Sequence, residues 1–215
     1  FDIPSVELPG FEADDLIASY AVAARDLGAR VTIVSSDKDL MQLVDPLIDM
    51  LDTMKDRKIG PDEVFEKFGV YPEKMTNLQA LIGDSSDNVP GVPSVGPKTA
   101  AQLLTDFEDL EGIYTDLSVV KRDKLREKLA EHKEIAFLSR DLVTLKADVI
   151  LDKGLTDFEF DPNLSEAALY LRQELEFNTL AKRIGGENVS FIQKEQQKQT
   201  DTVSYPVSIP IDTTQ

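Results

Sequence analysis

The sequence contains no cysteine and a single histidine, His132. Without cysteine there are no disulfides, no thiolate nucleophile and no cysteine-held zinc. A lone imidazole leaves little for histidine chemistry. No neighbour of His132 in the sequence completes a triad or a metal pair, and it lies among charged residues, so it is expected to face solvent. No run of about 18 apolar residues exists. Phe1 to Gly10 lack the basic and apolar regions of a signal peptide. The simplest expectation is therefore a cytoplasmic chain with no membrane partner. Positive charge is also scarce: 23 lysines and arginines face 40 aspartates and glutamates, a formal net charge of −17. Phosphate contacts need cations, so this balance argues against wholesale nucleic-acid binding. It argues so only if the acids lie free, because bound divalent cations invert the local charge.

What is present suffices for one sizeable core and a smaller appended unit, with 215 residues of which 41% are hydrophobic. Ser5 to Leu8 reads as a short extended segment ended by Pro9-Gly10. Glu12 to Leu27 carries Leu16, Ile17, Tyr20, Ala21 and Ala24 at helical spacing. Gly28 stops that helix, and Val31 to Ser36 is a β-branched run of the kind found in buried strands. Lys38 to Val44 is predicted as a short helix capped by Asp37, and Leu47 to Leu51 as a further strand. This alternation predicts an α/β fold with a mostly parallel sheet, whose ligand site lies at the carboxyl ends of the strands. From Pro61 onward the pattern turns helical, with helices at Asp62–Phe68, Thr76–Ile82, Thr99–Leu104, Lys121–Arg140 and Glu166–Ile184. After Glu187 the chain is rich in Gln, Thr, Ser and Pro and is expected to be a linker or disordered tail.

Three acidic groups stand out: Glu12, Asp14 and Asp15 at a helix start, Asp37 and Asp39 just after a strand, and Asp84 with Asp87 in a glycine-rich turn. Each group alone fits helix capping. Their convergence in one cleft would be unfavourable until protons or hard cations neutralised it. Oxygen-only ligands select magnesium, with manganese able to substitute, over zinc. Two such ions held by excess carboxylate are suited to phosphodiester hydrolysis. Residues two apart point to nearly opposite sides of a helix, so Glu12 and Asp14 must straddle the helix start to share a site, leaving Asp15 to one side or acting through water. Asp37 and Asp39 need a strand-to-helix junction for the same reason.

Val89 to Ala101 reads as a tight turn feeding a helix, with Pro97 at its first position. The free N–H groups there, with Lys98, could hold a phosphate without reading a base. On the later helix Lys121, Arg122, Lys124, Arg126, Lys128 and Lys133 alternate with acids, a pattern usual for a solvated face.

Four segments in order, Gly10–Asp15, Ser36–Leu43, Gly83–Val92 and Val95–Ala100, resemble the flap-endonuclease-like 5′-nucleases, and within them the 5′ to 3′ exonuclease domain of bacterial DNA polymerase I. The likeness runs from about Ser5 to Gly186. It implies a PIN-like α/β core over residues 1–60, a helical subdomain with a helix-three-turn-helix motif over 61–186, and a linker toward a polymerase region over 187–215. It also implies that Glu12, Asp14, Asp15, Asp37, Asp39, Asp84 and Asp87 ligate two magnesium ions, directly or through water, with Asp14, Asp37, Asp39 and Asp84 as the catalytic set. Gly91, Val95, Gly96, Lys98 and Thr99 would meet the DNA, and the turn could bind potassium through backbone carbonyls. The expected substrate is duplex DNA with a 5′ end, nick or flap, the expected partner the polymerase region of the same protein. Members of this family begin with a strand bearing an Asp-Gly ligand and a basic, aromatic arch ahead of the segment matching Phe1. Without them the sheet is expected to expose an unpaired edge, and this chain to bind metal and DNA weakly and cleave poorly. Two other readings share the acids: a non-catalytic duplex-binding module, and a PIN-type ribonuclease, against which the turn at Gly83 to Thr99 argues.

Overall fold

The structure, a computed structural model, describes residues 3–159 and 164–185. They form two compact units, one from Val6 to Asp157 and one comprising the described residues from Phe158 onward with the first few of the chain. The tail expected after Glu187 lies outside the described residues.

In the larger unit, helix α1 (Ala13–Asp26) leads into strand β1 (Val31–Val34), a 3-10 turn (Asp39–Leu43), and strands β2 (Ile48–Asp52) and β3 (Arg57–Ile59). β1 and β2 pair in parallel with Val31 opposite Ile48, as the alternation predicts. β3 was not expected, and it pairs antiparallel to β2, so the three-stranded sheet is mixed. The turn between them is built by Asp52, whose carboxylate accepts the N–H groups of Met54 and Lys55. Ser5 to Leu8 joins no strand in the sheet and is coil. Among the described residues β1 is therefore an edge strand. A groove of about 640 Å³ runs beside it, lined by Val6, Leu16, Tyr20, Ala24 and Val34 among others.

Helices α2 (Pro61–Phe68), α3 (Met75–Ile82), α4 (Pro97–Phe107), α5 (Leu110–Thr115), α6 (Asp123–Glu131) and α7 (Lys133–Val143) follow. One apolar core joins sheet and helices, from Ala21 and Ile33 through Leu78, Leu81 and Leu104 to Leu129 and Ala136. The single helix expected over Lys121 to Arg140 is broken at His132, whose backbone (φ −112°, ψ 23°) leaves the helical region. His132 is not solvent-facing: its side chain is 15% exposed, and its Nδ1 lies 3.1 Å from the carbonyl of Lys128. The segment after α7 straps the site elements together. Lys146 N–H donates to Asp15 at 3.0 Å, Val149 N–H donates to Ser19 Oγ at 3.2 Å, and Gln42 bonds both the Val143 carbonyl and the Leu145 N–H.

In the smaller unit the expected helix over Glu166 to Ile184 is two, α8 (Leu164–Gln173) and α9 (Asn178–Gly185). Glu176, at φ +56°, lies in the turn between them. They pack through Ala168, Leu171 and Ala181.

Candidate metal centre

The carboxyl end of β1 runs directly into Ser35 and Asp37, and two local bonds shape the junction there. Asp37 N–H donates to Ser35 Oγ at 3.1 Å, and Asp39 N–H donates to Asp37 Oδ1 at 3.0 Å. Lys38, not the Asp37 expected from the sequence, occupies the cap position of the 3-10 turn, and Asp37, one residue earlier, closes a local turn onto Asp39. This arrangement leaves Asp37 and Asp39 on either side of Lys38, the first at the junction and the second on the 3-10 turn.

Asp84 is placed by close backbone packing. Gly83 and Gly91 both have positive φ (+72° and +62°), and an added Cβ on Gly83 would lie 2.6 Å from the carbonyl oxygen of Val89. The same substitution on Gly91 would drive a Cβ into the backbone of Gly83. Only glycine allows this approach. It lets Asp84 and Val89 exchange backbone hydrogen bonds at 2.9 and 2.7 Å, while Gly91 N–H is held by the buried hydroxyl of Ser139 on α7 at 3.1 Å. The loop so closed presents Asp84 and Asp87.

Asp39, Asp84 and Asp87 each offer a carboxylate oxygen, and these oxygens all lie within 4.8 Å of one another. Asp84 Oδ1 accepts the Ser86 N–H at 2.9 Å, and its other oxygen is fully buried and without a well-directed hydrogen bond. That oxygen forms an ion pair with the ammonium of Lys38, which holds the Asp84 carboxyl below its usual range. Asp39 shifts the other way. Burial raises it, as do Asp37 and Asp84, against a hydrogen bond from Gln79 that lowers it. Asp14 is raised by burial first and then by the negative charge of Asp37, Asp39, Glu12 and Asp15. Asp14 is thus the α1 residue that feels the charge of Asp37 and Asp39. Crowded carboxylates, with Asp14 and Asp39 pushed up and Asp84 held down by Lys38, one buried oxygen and no thiol or imidazole among them form a donor set suited to a hard cation.

The remaining members of the α1 group have other tasks. Glu12 is the extended residue preceding α1 (φ −82°, ψ 160°). Asp15 accepts backbone N–H groups through both oxygens, from Glu12 at 3.4 Å and from Lys146 at 3.0 Å. Asp14 lies on the helix itself. The three-carboxylate cluster thus contains Asp39, Asp84 and Asp87, with Asp14 coupled to it by charge.

Gln79 belongs to the site without carrying any chemical motif in the sequence. It is 1% exposed, and its Nε2 donates to Asp39 Oδ1. The signal was its place on α3, four residues after Met75 and one after Leu78, where a polar side chain on a core-facing stripe needs a partner.

In the turn at the start of α4, Gly91 and Val95 are buried, Gly96 and Lys98 are exposed and Thr99 is half-buried. Gly96 precedes α4, and its carbonyl accepts the Thr99 and Ala100 N–H groups, each at 3.0 Å. Beside this helix start lies a cleft of about 450 Å³ lined by Pro93, Ser94, Thr99, Arg122, Lys124 and Lys128 among others. Arg122, which precedes α6, and Lys124 and Lys128 on it thus border the turn.

Comparison with known proteins bears on both features. Residues 1–69 match the model of the 5′-3′ exonuclease N-terminal resolvase-like domain, and residues 70–166 that of the 5′-3′ exonuclease C-terminal SAM fold. Over 184 residues the chain is 50% identical to a DNA polymerase I of Rhizobium leguminosarum, covering 86% of this chain and 18% of the relative. It is 46% identical over 147 residues to the flap endonuclease Xni of Klebsiella pneumoniae subsp. pneumoniae, covering 68% of this chain and 58% of the relative. The chain therefore spans less than two thirds of either relative. Among solved structures, a T5 5′-exonuclease with bound divalent metal ions (zinc) superposes with a TM-score of 0.62 at 23% identity, over 85% of this chain and 63% of that one, which establishes the shared fold.

Proposed function

The chain belongs to the 5′-3′ exonuclease family, and from that premise we propose that it hydrolyses phosphodiester bonds at 5′ ends, nicks and flaps of duplex DNA, using two magnesium ions. The observation that carries this reading is the meeting of Asp39, Asp84 and Asp87 within 4.8 Å, from parts of the chain more than forty residues apart. When bound, such ions supply the Lewis acidity that activates water and offsets charge on a phosphodiester.

The protein's own part is to hold the carboxylates apart in direction but close in space. Asp39 is oriented by Gln79, with its backbone N–H held by Asp37, and Asp84 by Ser86 N–H and the Gly83–Gly91 contact. Asp14 and Asp37 complete the catalytic set, with Asp87, Glu12 and Asp15 as further ligands, directly or through water. Asp15, already bound to backbone at both oxygens, is the one best suited to act through water.

The substrate is gripped away from the metal centre. The N–H groups at the start of α4, with Gly96, Lys98 and Thr99, hold backbone phosphates, and Arg122 and Lys124 extend that surface across the adjacent cleft, where Lys128 is paired with Glu131. Gly91 and Val95 shape the turn from beneath. The potassium ion implied by the resemblance would be held there by backbone carbonyls, and no step depends on it. Such contacts read no sequence, as befits an enzyme acting on any 5′ end. On the identity to a DNA polymerase I, we take a polymerase region as the partner of this nuclease.

The test compares wild type with Asp84→Asn on a 5′-flap duplex and on single-stranded RNA, with magnesium and with chelator. Flap cleavage should need magnesium, exceed RNA cleavage, and fall ~100-fold or more in the variant while duplex binding persists. Cleavage that survives the substitution or the chelator would contradict the reading.

A further inference from the structure

Lys38 lies inside the acidic centre, and the nuclease reading gives it no task. Its position is tightly specified. It lies between Asp37 and Asp39 in the Asx-turn junction after β1, and its ammonium forms an ion pair with Asp84 Oδ2. That oxygen is fully sheltered from solvent, and the Asp84 side chain is 4% exposed, while that of Lys38 is 35% exposed. The other Asp84 oxygen is taken by Ser86 N–H, and one oxygen of Asp39 by Gln79. The buried Oδ2 is therefore the Asp84 oxygen that accepts no well-directed hydrogen bond, and the Lys38 ammonium covers it.

An ammonium is a compact, strongly hydrated point charge on a flexible stem. It can neutralise a carboxylate, but it cannot share the sheltered face of one oxygen with a divalent cation. The partial exposure of Lys38 gives it a route out into water that Asp84, enclosed by its loop, lacks. On this geometry we propose that Lys38 is a built-in counter-cation: it neutralises the carboxylate cluster while no metal is bound, and an incoming divalent ion must displace it from Asp84. The inference rests on the metal-centre reading above and adds to it an internal competitor that sets the threshold for metal binding. It also explains how a cluster of aspartates folds before the metal arrives, since like charges so close are otherwise costly.

Two effects of opposite sign are expected. Removing the ammonium should weaken the metal-free protein and tighten metal binding together, whereas a lysine that only shaped the junction would weaken both. The experiment titrates Mn2+ into wild type, Lys38→Gln and Lys38→Arg, following free Mn2+ by electron paramagnetic resonance, and records melting temperatures with and without the metal. Lys38→Gln is expected to bind Mn2+ about tenfold tighter, the equivalent of one charge-assisted hydrogen bond no longer competing. Its metal-free form should melt lower, its metal-bound form near wild type, with Lys38→Arg between the two in affinity. Should Lys38→Gln fail to fold, wild type with 15N-labelled lysine keeps the question open to measurement. The ammonium resonance of Lys38 should be protected without metal and lost to exchange on adding Mg2+. Equal or weaker Mn2+ binding by Lys38→Gln, or an ammonium signal indifferent to Mg2+, overturns the inference and leaves the metal centre standing. No Mn2+ binding by wild type at all overturns the metal centre and this inference with it.

Discussion

Replacing Gln79 by leucine separates what holds the site together from what makes it work. Gln79 Nε2 donates to Asp39 Oδ1, and giving up a hydrogen bond to a charged group costs about 1.5–3 kcal/mol. Its Oε1, however, is buried without a hydrogen-bond partner, a liability of about 1–3 kcal/mol that an apolar side chain removes. The two nearly cancel, and leucine fills a similar volume, so global stability should change by less than about 1 kcal/mol. The electrostatics of Asp39 do not cancel. Burial and the neighbouring carboxylates of Asp37 and Asp84 push its pKa up, and the Gln79 bond opposes them. Without that bond Asp39 holds its proton to higher pH and its carboxylate is free to turn. Affinity for Mn2+ should fall about tenfold, and by more in mildly acidic than in mildly alkaline buffer, because proton and metal compete for the same oxygen. Urea denaturation and a manganese titration read the two effects separately. A stability loss above about 3 kcal/mol with metal affinity intact would refute the reasoning, since it would make Gln79 a packing residue only.

Gly91→Ala adds a methyl at φ +62° against the backbone of Gly83, so denaturation should show a loss of about 2–4 kcal/mol from strain and overlap together, and Mn2+ binding should weaken with the loop. Lys98→Ala should weaken duplex binding uniformly across sequences and lower the slope of log affinity against log salt by about 1; an unchanged slope would remove Lys98 from the grip. For pH, the Arg140 guanidinium bonds both Glu111 oxygens, at 2.7 and 2.8 Å, and holds that carboxyl below its ordinary value of 4.5. Its stabilisation is therefore complete above about that pH and is lost as pH falls through it toward the folded-state value. With Glu111 55% exposed, the contribution is about 0.5 kcal/mol or less, read as the difference between wild type and Glu111→Gln above and below that window.

The parts of the fold that were legible in sequence are those set by local rules. α1, β1, β2, α2 and α3 fall within a residue or two of their expected spans, because apolar spacing and flanking Gly and Pro fix them. β3 is not legible in sequence because Arg57-Lys58-Ile59 is too short and too charged to show alternation. It is a strand because the Asp52 turn folds it back onto β2. The break at His132 was invisible because the apolar spacing of Leu125, Leu129, Ile135 and Leu138 runs on across it. In the site, the acids were legible by type and order. Which of them meet was not, since it depends on the Gly83–Gly91 contact and on the strap from α7 to Val149, both long-range. Lys38 and Gln79 are silent in sequence for the same reason: a lysine between two aspartates and a glutamine on a helix acquire meaning only from Asp84 and Asp39 beside them.

The central claim is that distant acids converge to hold hard cations, and anomalous diffraction from a crystal soaked in Mn2+ tests it most directly. Peaks within ligand distance of the carboxylates of Asp39, Asp84 and Asp87, with Lys38 turned away from Asp84, are the expected result. Saturating Mn2+ with no peak there, or peaks only at scattered surface acids, would contradict it.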